Sequence, residues 1–578
     1  MDRKMNASRI LHPLVLRSLF LRSLGLLCLG LVSLWGGPLG AQESAPGTFA
    51  EIIEVRVVNV EVVVTDEDGN RVAGLDRDQF QLEVDGEAQS IDFFNEVVGG
   101  EALSEEEGEE GAEAVEDPAL EGLPGFSPGE PVSTSYLVFV DDFFSIKRDR
   151  NEVLEALADD LPLLTPGDRM AIVAFDGRRL DMISSWSDSQ KELQRALRKA
   201  GDRKAYGLQR LAERRNFRSI RLDFNSLEPE STVDGTRLDI EEEQFAVQIS
   251  EQVERVVAAA TATLRSFAQP PGRKVMLMVA GGWPFDPVRF TVTDPNRVIL
   301  DRGVPSGPEL FEPLTETANR LGYTLYPVDV PTSSLDLADR DLASLRNIPS
   351  GAALEPDFVR EQELHASLGF VAESTGGKAL INSASLDALP RAVEDTRTFY
   401  WLGFTPEWRG DDEVHEIRVR VAGADGQRLE VRTRESYQDL SRNAEVAMMV
   451  ESGLLFGNAP SSEKLTVVLG EPKRERFRKM RVPLGIRFQA QDIAFVPTNE
   501  GGFGAQVLLV ISVMDESGAR APVYRLPLAF AQQEEPDGER WVGYDTELEL
   551  RRADHDVVVA IYDQFGGSLL SSAVSVKP

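Results

Sequence analysis

Apolar and polar residues alternate through the first structured stretch of the chain. Val58, Val60, Val62 and Val64 share one face of an extended segment, with Asn59, Glu61 and Val63 on the other. Asp68-Gly69 is a hairpin signal, and further strands are predicted at 80–84, running into Asp85-Gly86, and at 90–94. These strands predict a small β-domain over 49–98. At 136–140 the pattern changes to an unbroken apolar run, Tyr136 to Val140, too short for a helix and consistent with a strand buried on both faces. It ends in the adjacent carboxylates Asp141 and Asp142, and a helix with Val153, Leu154, Leu157 and Leu161 on one face follows.

Buried strands at 170–175, 274–280 and 324–328 then alternate with helices at 187–199, 308–321 and 357–375. Ser187 or Asp188 is the N-cap of the first of these helices, and Gly376-Gly377 closes the last. An antiparallel strand is predicted at 180–184. The longest apolar stripe is Phe245, Ile249, Val253, Val256, Ala260, Leu264 and Phe267, a helix stopped by Pro270-Pro271-Gly272. Such alternation predicts a parallel sheet with helices on both faces over 134–405, with 200–238 as an insertion. After residue 398 the pattern is antiparallel. It predicts a β extension over 406–440 and a β-sandwich over 444–578, with strands at 465–469, 480–488, 505–514, 523–530, 541–550 and 556–562. The predicted fold class is multidomain α/β plus β.

The first 41 residues read as a leader. Arg3, Lys4, Arg9, Arg17 and Arg22 precede an uncharged apolar core at 23–35, and small residues lead to cleavage after Ala41. This predicts export to the periplasm or beyond. Cys28, the single cysteine, lies in that core, so the mature chain is expected to be thiol-free. No later run approaches a membrane span. A net charge of −35 argues against nucleic acid or an anionic membrane as partner. Residues 99–133 read as an acidic, disordered linker, in which 101–121 holds ten acids and no base. Ten bases between Arg195 and Arg221 form a basic counterpart.

Motifs for familiar chemistries are missing. Gly376-Gly377-Lys378 lacks the remainder of a phosphate loop and follows a helix rather than opening one. No H-E-x-x-H or G-x-S-x-G occurs, and His365, His415 and His555 are scattered. The Asp-x-x-Gly stretches at Asp66, Asp515 and Asp563 read as hairpin turns rather than Ca²⁺ loops.

Four stretches carry a resemblance: VVVTDEDGNRVAGLDRDQFQLEVDG, LTPGDRMAIVAF, PGRKVMLMVAGG, and STGGKAL followed by FYWLGFTP and VRTRESY. In this order they resemble a von Willebrand factor type A (vWA) protein, and more narrowly the exported vWA-related family common in acidobacteria. The likeness covers roughly residues 55–437. It implies a Rossmann-like α/β domain whose strand ends bind a divalent metal such as Mg²⁺ or Mn²⁺ and, through it, a partner's carboxylate. The family's Asp-x-Ser-x-Ser stands here as Asp141-Asp142-Phe143-Phe144-Ser145, so Phe143 replaces a ligand. The second-loop Thr is Thr236 or Thr232. Gly281 stands where the third-loop Asp belongs, with Asp286 five residues on. The resemblance therefore implies metal ligands Asp141, Ser145, Thr236 and Asp286 in a degenerate site, with no cofactor bound. Without a metal, Asp141 and Asp142 are expected to be solvated acids at a strand end, helped by the positive end of the next helix. The expected partner-binding residues are Asp141, Asp142 and Trp283. The expected function is a non-enzymatic, exported protein that binds or scaffolds proteins of the cell envelope. The alternative is an envelope hydrolase using strand-end carboxylates, which would need a nucleophile or base with an orienting partner.

Overall fold

The computed structural model describes residues 39–40, 57–103 and 131–578, except 215, 218–231, 268–269, 271, 292–302, 331–354, 408, 424–427, 457–463, 499–500, 517–519 and 535–536. The leader apart from Leu39 and Gly40, and linker residues 104–130, lie outside the described residues. The architecture is mixed α/β combined with β-rich units. Among the described residues no helix is long and apolar enough to cross a membrane.

At the centre is a five-stranded sheet in the order Tyr323–Asp329, Arg273–Ala280, Thr134–Asp141, Arg169–Phe175, Leu180–Ser187. The first four strands are mutually parallel, and the last is the antiparallel edge that the sequence pattern predicts. Every residue of Thr134–Asp141 is buried, because helices cover both faces. Side chains alternate across a strand, so Leu137 and Phe139 enter one core with Val253, Val256 and Leu264. Tyr136, Val138 and Val140 enter the other with Val153, Leu157, Leu193 and Leu197. Each such side chain contributes about 1.5–3 kcal/mol through burial. The long stripe forms a single helix, Thr232–Ser266, whose start takes up part of the stretch expected to be an insertion. The helix after the edge strand, Gln190–Asp202, has Ser189 at its N-cap position, with no side-chain capping bond, rather than the predicted Ser187 or Asp188.

The segments 49–98 and 406–440, predicted as separate units, are joined by pairing. Val58–Thr65 lies between Phe399–Phe404 and Glu430–Arg432, and Phe93–Val98 flanks Phe399–Phe404 on its far side. A second sheet pairs Val414–Val421 with Phe80–Val84 and Ser436–Gln438. A segment as short as 49–98 buries too little surface to be stable alone, and the valine face of Val58–Thr65 completes its core with Tyr400, Leu402, Phe404 and Ile417. The α/β unit is thus inserted into a β-domain built from both sides of it. At the Asp66 hairpin the carboxylate accepts the amides of Asp68 (3.0 Å) and Asn70 (2.8 Å), as expected of a turn.

The reading of continuous β structure from residue 444 is corrected by a helix, Arg442–Phe456. Its sequence is rich in Ala, Met and Glu, all strong helix formers. Val446, Val450 and Leu454 pack on Leu508, Val510 and Val558. Ala444 and Met448 face the α/β core, so the helix is wedged between the two units. The sandwich follows from Thr466, with its interior formed by Val482, Ile486, Leu509, Ile511 and Val559 among others.

Candidate functional site

Chain order reverses between Thr134–Asp141 and Arg273–Ala280: the sheet grows one way from the first strand and then the other. In open α/β sheets the crevice beyond the carboxyl ends at such a switch point is the usual ligand position. Here it holds Asp141, Asp142, Ser145 and the Gly281–Trp283 loop.

Asp141 is fully buried. Its Oδ1 accepts the amides of Phe143 (2.9 Å) and Phe144 (3.2 Å), an Asx turn that folds the loop back over the strand end. Its Oδ2 accepts the indole N–H of Trp283 at 2.9 Å, so one hydrogen bond spans the crevice. Burial pushes the Asp141 carboxyl up to about 7, opposed by the Trp283 bond and the two amides. Trp283 is 1% exposed and packs near Phe311.

Asp142 is also fully buried and lies in a chain of charges. Arg150, on the helix Lys147–Asp159 and itself 0% exposed, donates Nη1 to Asp142 Oδ1. Arg203 donates Nε to Oδ2 at 2.7 Å and Nη1 to Asp181 at 2.6 Å. Arg150 Nη2 also reaches the carbonyls of Gly201 (2.9 Å) and Arg203 (3.2 Å). These bonds tie the start of one helix to the end of Gln190–Asp202. Burial pushes the Asp142 carboxyl up, while Arg150 and Arg203 pull it down. The expectation of solvated strand-end acids is corrected: both acids are enclosed, because the segment after Asp202 folds over them. The amides of Tyr206 and Gly207 donate to Asp142 O (2.7 Å) and Ser145 O (2.9 Å).

Glycines let this lid close. A Cβ on Gly207 would lie 2.6 Å from the Ser145 backbone, and one on Gly281 would lie 2.7 Å from Phe144 O. Gly281 therefore has no room for the acid that the resemblance asks for. Phe143 is covered by Arg210 and Arg255, whose guanidinium carbons stand 4.6 and 5.2 Å from its ring centre. Part of the predicted basic run, Arg210, is thus packed on Phe143 as part of the lid.

Of the residues expected to hold a metal, Asp141 and Asp286 spend carboxylate oxygens on N–H donors instead. Asp141 and Ser145 are neighbours, with Ser145 N–H reaching Asp141 O at 3.3 Å. Ser145 Oγ is buried and makes no hydrogen bond. Asp286 spends Oδ1 on the Arg289 amide (3.0 Å) at the start of a short helix, and its own amide donates to Glu363. Thr236 falls within Thr232–Ser266, but its side chain lies outside the described residues. A hard cation takes about six oxygen ligands, and the described donors Asp141, Ser145 and Asp286 do not fit one. Nor do Asp141, Asp142 and Trp283 present a face to a partner, since all three are interior.

The sequence pattern missed one cluster. Asp411, His415 and Asp439 each bring a ligand atom within 4.8 Å of the others. His415 Nδ1 is 2.7 Å from Asp85 Oδ2, and its ring stacks on Tyr437 at 4.9 Å. Asp439 accepts the amides of Arg409 (2.6 Å) and Gly410 (2.8 Å). The cluster joins His415 of the strand Val414–Val421 to Asp411 just before that strand and Asp439 just after Ser436–Gln438, and only the Asp411–His415 spacing is visible along the chain.

No family model and no curated protein matches the sequence. Among solved structures, a structural-genomics target, SoR45, aligns over 20% of this chain and 88% of its own, at 10% identity and a TM-score of 0.14. The pilus adhesin SpaC from Lactobacillus rhamnosus GG aligns over 77% of this chain at 8% identity and a TM-score of 0.24. The chain spans 54% of that adhesin's length. At these scores neither likeness carries an argument about fold or function.

Proposed function

We propose that this is an exported, non-enzymatic protein that binds or scaffolds other proteins of the cell envelope, through a vWA-like domain whose metal site has degenerated. The observation that carries the reading is the Trp283–Asp141 hydrogen bond across the switch-point crevice. A tryptophan N–H stands on the carboxylate oxygen that would otherwise turn to a cation, and Gly281 leaves no space for a further acid. The order of the parallel strands and the sequence stretches resembling vWA proteins support the same reading. The hydrolase alternative draws less support, because Asp142 is held between two arginines and Asp141 by three N–H donors. The recognition surface in this reading is the exterior of the loops above the crevice, not the acids.

Titration calorimetry with Mg²⁺ and Mn²⁺ on the chain lacking residues 1–41 tests the metal part. No heat of binding is expected; a micromolar dissociation constant abolished by Asp141→Ala would refute it. Capture from envelope extract tests the binding part, and the retained proteins should be the same with and without EDTA. Release by EDTA would restore a metal-dependent mechanism.

A further inference from the structure

A second buried polar region lies at the other end of the central sheet, under the amino ends of its strands, where the β-domain meets it. A cavity of about 20 Å³ there is lined by Glu61, Arg273, Thr375, Arg432, Thr433 and Arg434, among others. That volume holds one water-sized body.

The charges around it do not balance. Arg71, Arg273, Lys274, Arg432 and Arg434 gather about two carboxylates, Glu61 and Asp395. Asp395 is shared by Arg71 and by both Nη2 contacts of Arg432, at 2.7 and 2.9 Å. Glu61 pairs with Arg273, whose Nε is 2.7 Å from Oε2 and whose guanidinium lies over the Phe399 ring. Arg434 makes no ion pair among the described residues. It donates Nη1 to Asn319 O (2.8 Å) and Nη2 to Asn59 O (2.6 Å). Its Nε is buried with no hydrogen-bond partner, and so is Thr433 Oγ1 beside it. Arg434 is partly buried, Glu61 is the charge that opposes its burial, and a guanidinium N–H left unpaired in such a place is costly. Burial pushes Arg434 down to about 10, with Glu61 opposing it. It pushes Lys274 down to about 8, reinforced by Arg434.

We propose that this cavity is a binding site for one monoatomic anion, chloride in the cell envelope, held by Arg434 Nε and Thr433 Oγ1. Arg273 and Arg432 stand beside it. Phosphate and sulfate are too large for the space. Water fits, but brings no charge to Arg434. Glu61 also lines the cavity; burial pushes its carboxyl up, opposed by Arg273, Arg434 and Lys274, and Arg273 is its ion-pair partner. The ion would pin Asn59 and Thr433 of the β-domain to the sheet, so its effect is expected on the junction between the units.

The test is thermal and urea unfolding of the full chain in sodium chloride or sodium gluconate at equal ionic strength. The unfolding midpoint is expected to rise with chloride and with bromide, but not with gluconate. Crystals grown in bromide should show an anomalous peak beside Arg434. Thr433→Val, which removes one donor with little change in shape, should raise the half-saturating chloride concentration about five-fold, and Arg434→Gln should abolish the dependence. Equal midpoints in chloride and gluconate overturn the proposal, as does an undiminished chloride effect in Thr433→Val. A bromide peak without any effect on stability would mark an adventitious ion only, and overturns it too.

Discussion

Replacing Asp141 by Asn should make the α/β unit more stable relative to wild type as pH rises. The unfolded carboxyl titrates near 3.9, while burial holds the folded one at about 7. Below about pH 4 the group is protonated in both states and contributes no pH dependence. Between about pH 4 and 7 the unfolded state has released a proton that the folded state keeps, so wild type loses about 1.4 kcal/mol per pH unit. Above about pH 7 both states are ionised and the loss levels off at about 4 kcal/mol. The asparagine amide of the Asp141→Asn variant cannot ionise, so the wild-type-minus-variant difference isolates this one group. A constant offset is expected as well, because that amide would meet the Trp283 N–H donor to donor. Urea titrations from about pH 4 to 8.5, read by tryptophan fluorescence, measure the difference. It should shift by several kcal/mol in favour of the variant and flatten near pH 7. A pH-independent difference would mean that Asp141 is ionised throughout, and the enclosed-carboxyl account would fall.

Three further outcomes follow from the same region. Arg150→Met leaves Asp142 buried with only Arg203 and should cost about 3–5 kcal/mol, whereas Arg203→Gln should cost less because Arg203 is 20% exposed; thermal melts of both variants rank them. Gly281→Ala should destabilise by about 1–3 kcal/mol through its contact with Phe144 O, and Gly281→Asp should create no Mg²⁺ binding by calorimetry. Trp283→Phe removes a donor that favours ionised Asp141, so the pH window described above should move upward in the same urea experiment.

The apolar runs made the central sheet legible. Strands at Arg169–Phe175 and Arg273–Ala280 and the helix Pro308–Leu321 fall within a residue of where the pattern places them. Two features depend on distant pairing and were not legible. The valine face of Val58–Thr65 announces a strand, yet nothing local says that its partners lie at Phe399–Phe404, far along the chain. The helix Arg442–Phe456 is buried on two sides by different units, so it lacks the polar face that marks a helix in sequence. At the site, Asp141 and Asp142 stood out for their position after a buried strand. Their enclosure depends on Arg150, Arg203 and Trp283, of which the sequence pattern marks Arg203 only as part of a basic run and Trp283 only as a contact for partners. A buried arginine looks like any surface arginine until the fold brings a carboxylate to it.

The route of the chain also bears on how the molecule carries mechanical load. The chain enters the α/β unit at Thr134 and leaves it at Thr396, and the amides of Gly100 and Val132 fasten the two crossings, reaching Arg397 O (2.8 Å) and Gly100 O (2.9 Å). A pull applied between residues ahead of Val58 and the carboxyl-terminal sandwich acts first on the ladder between Val58–Thr65 and Phe399–Phe404. Until that ladder peels open from the Val58–Phe404 pair, tension bypasses the inserted sheet. Stretched between two attachments, the protein would keep its central sheet slack while the β-domain acts as the fuse.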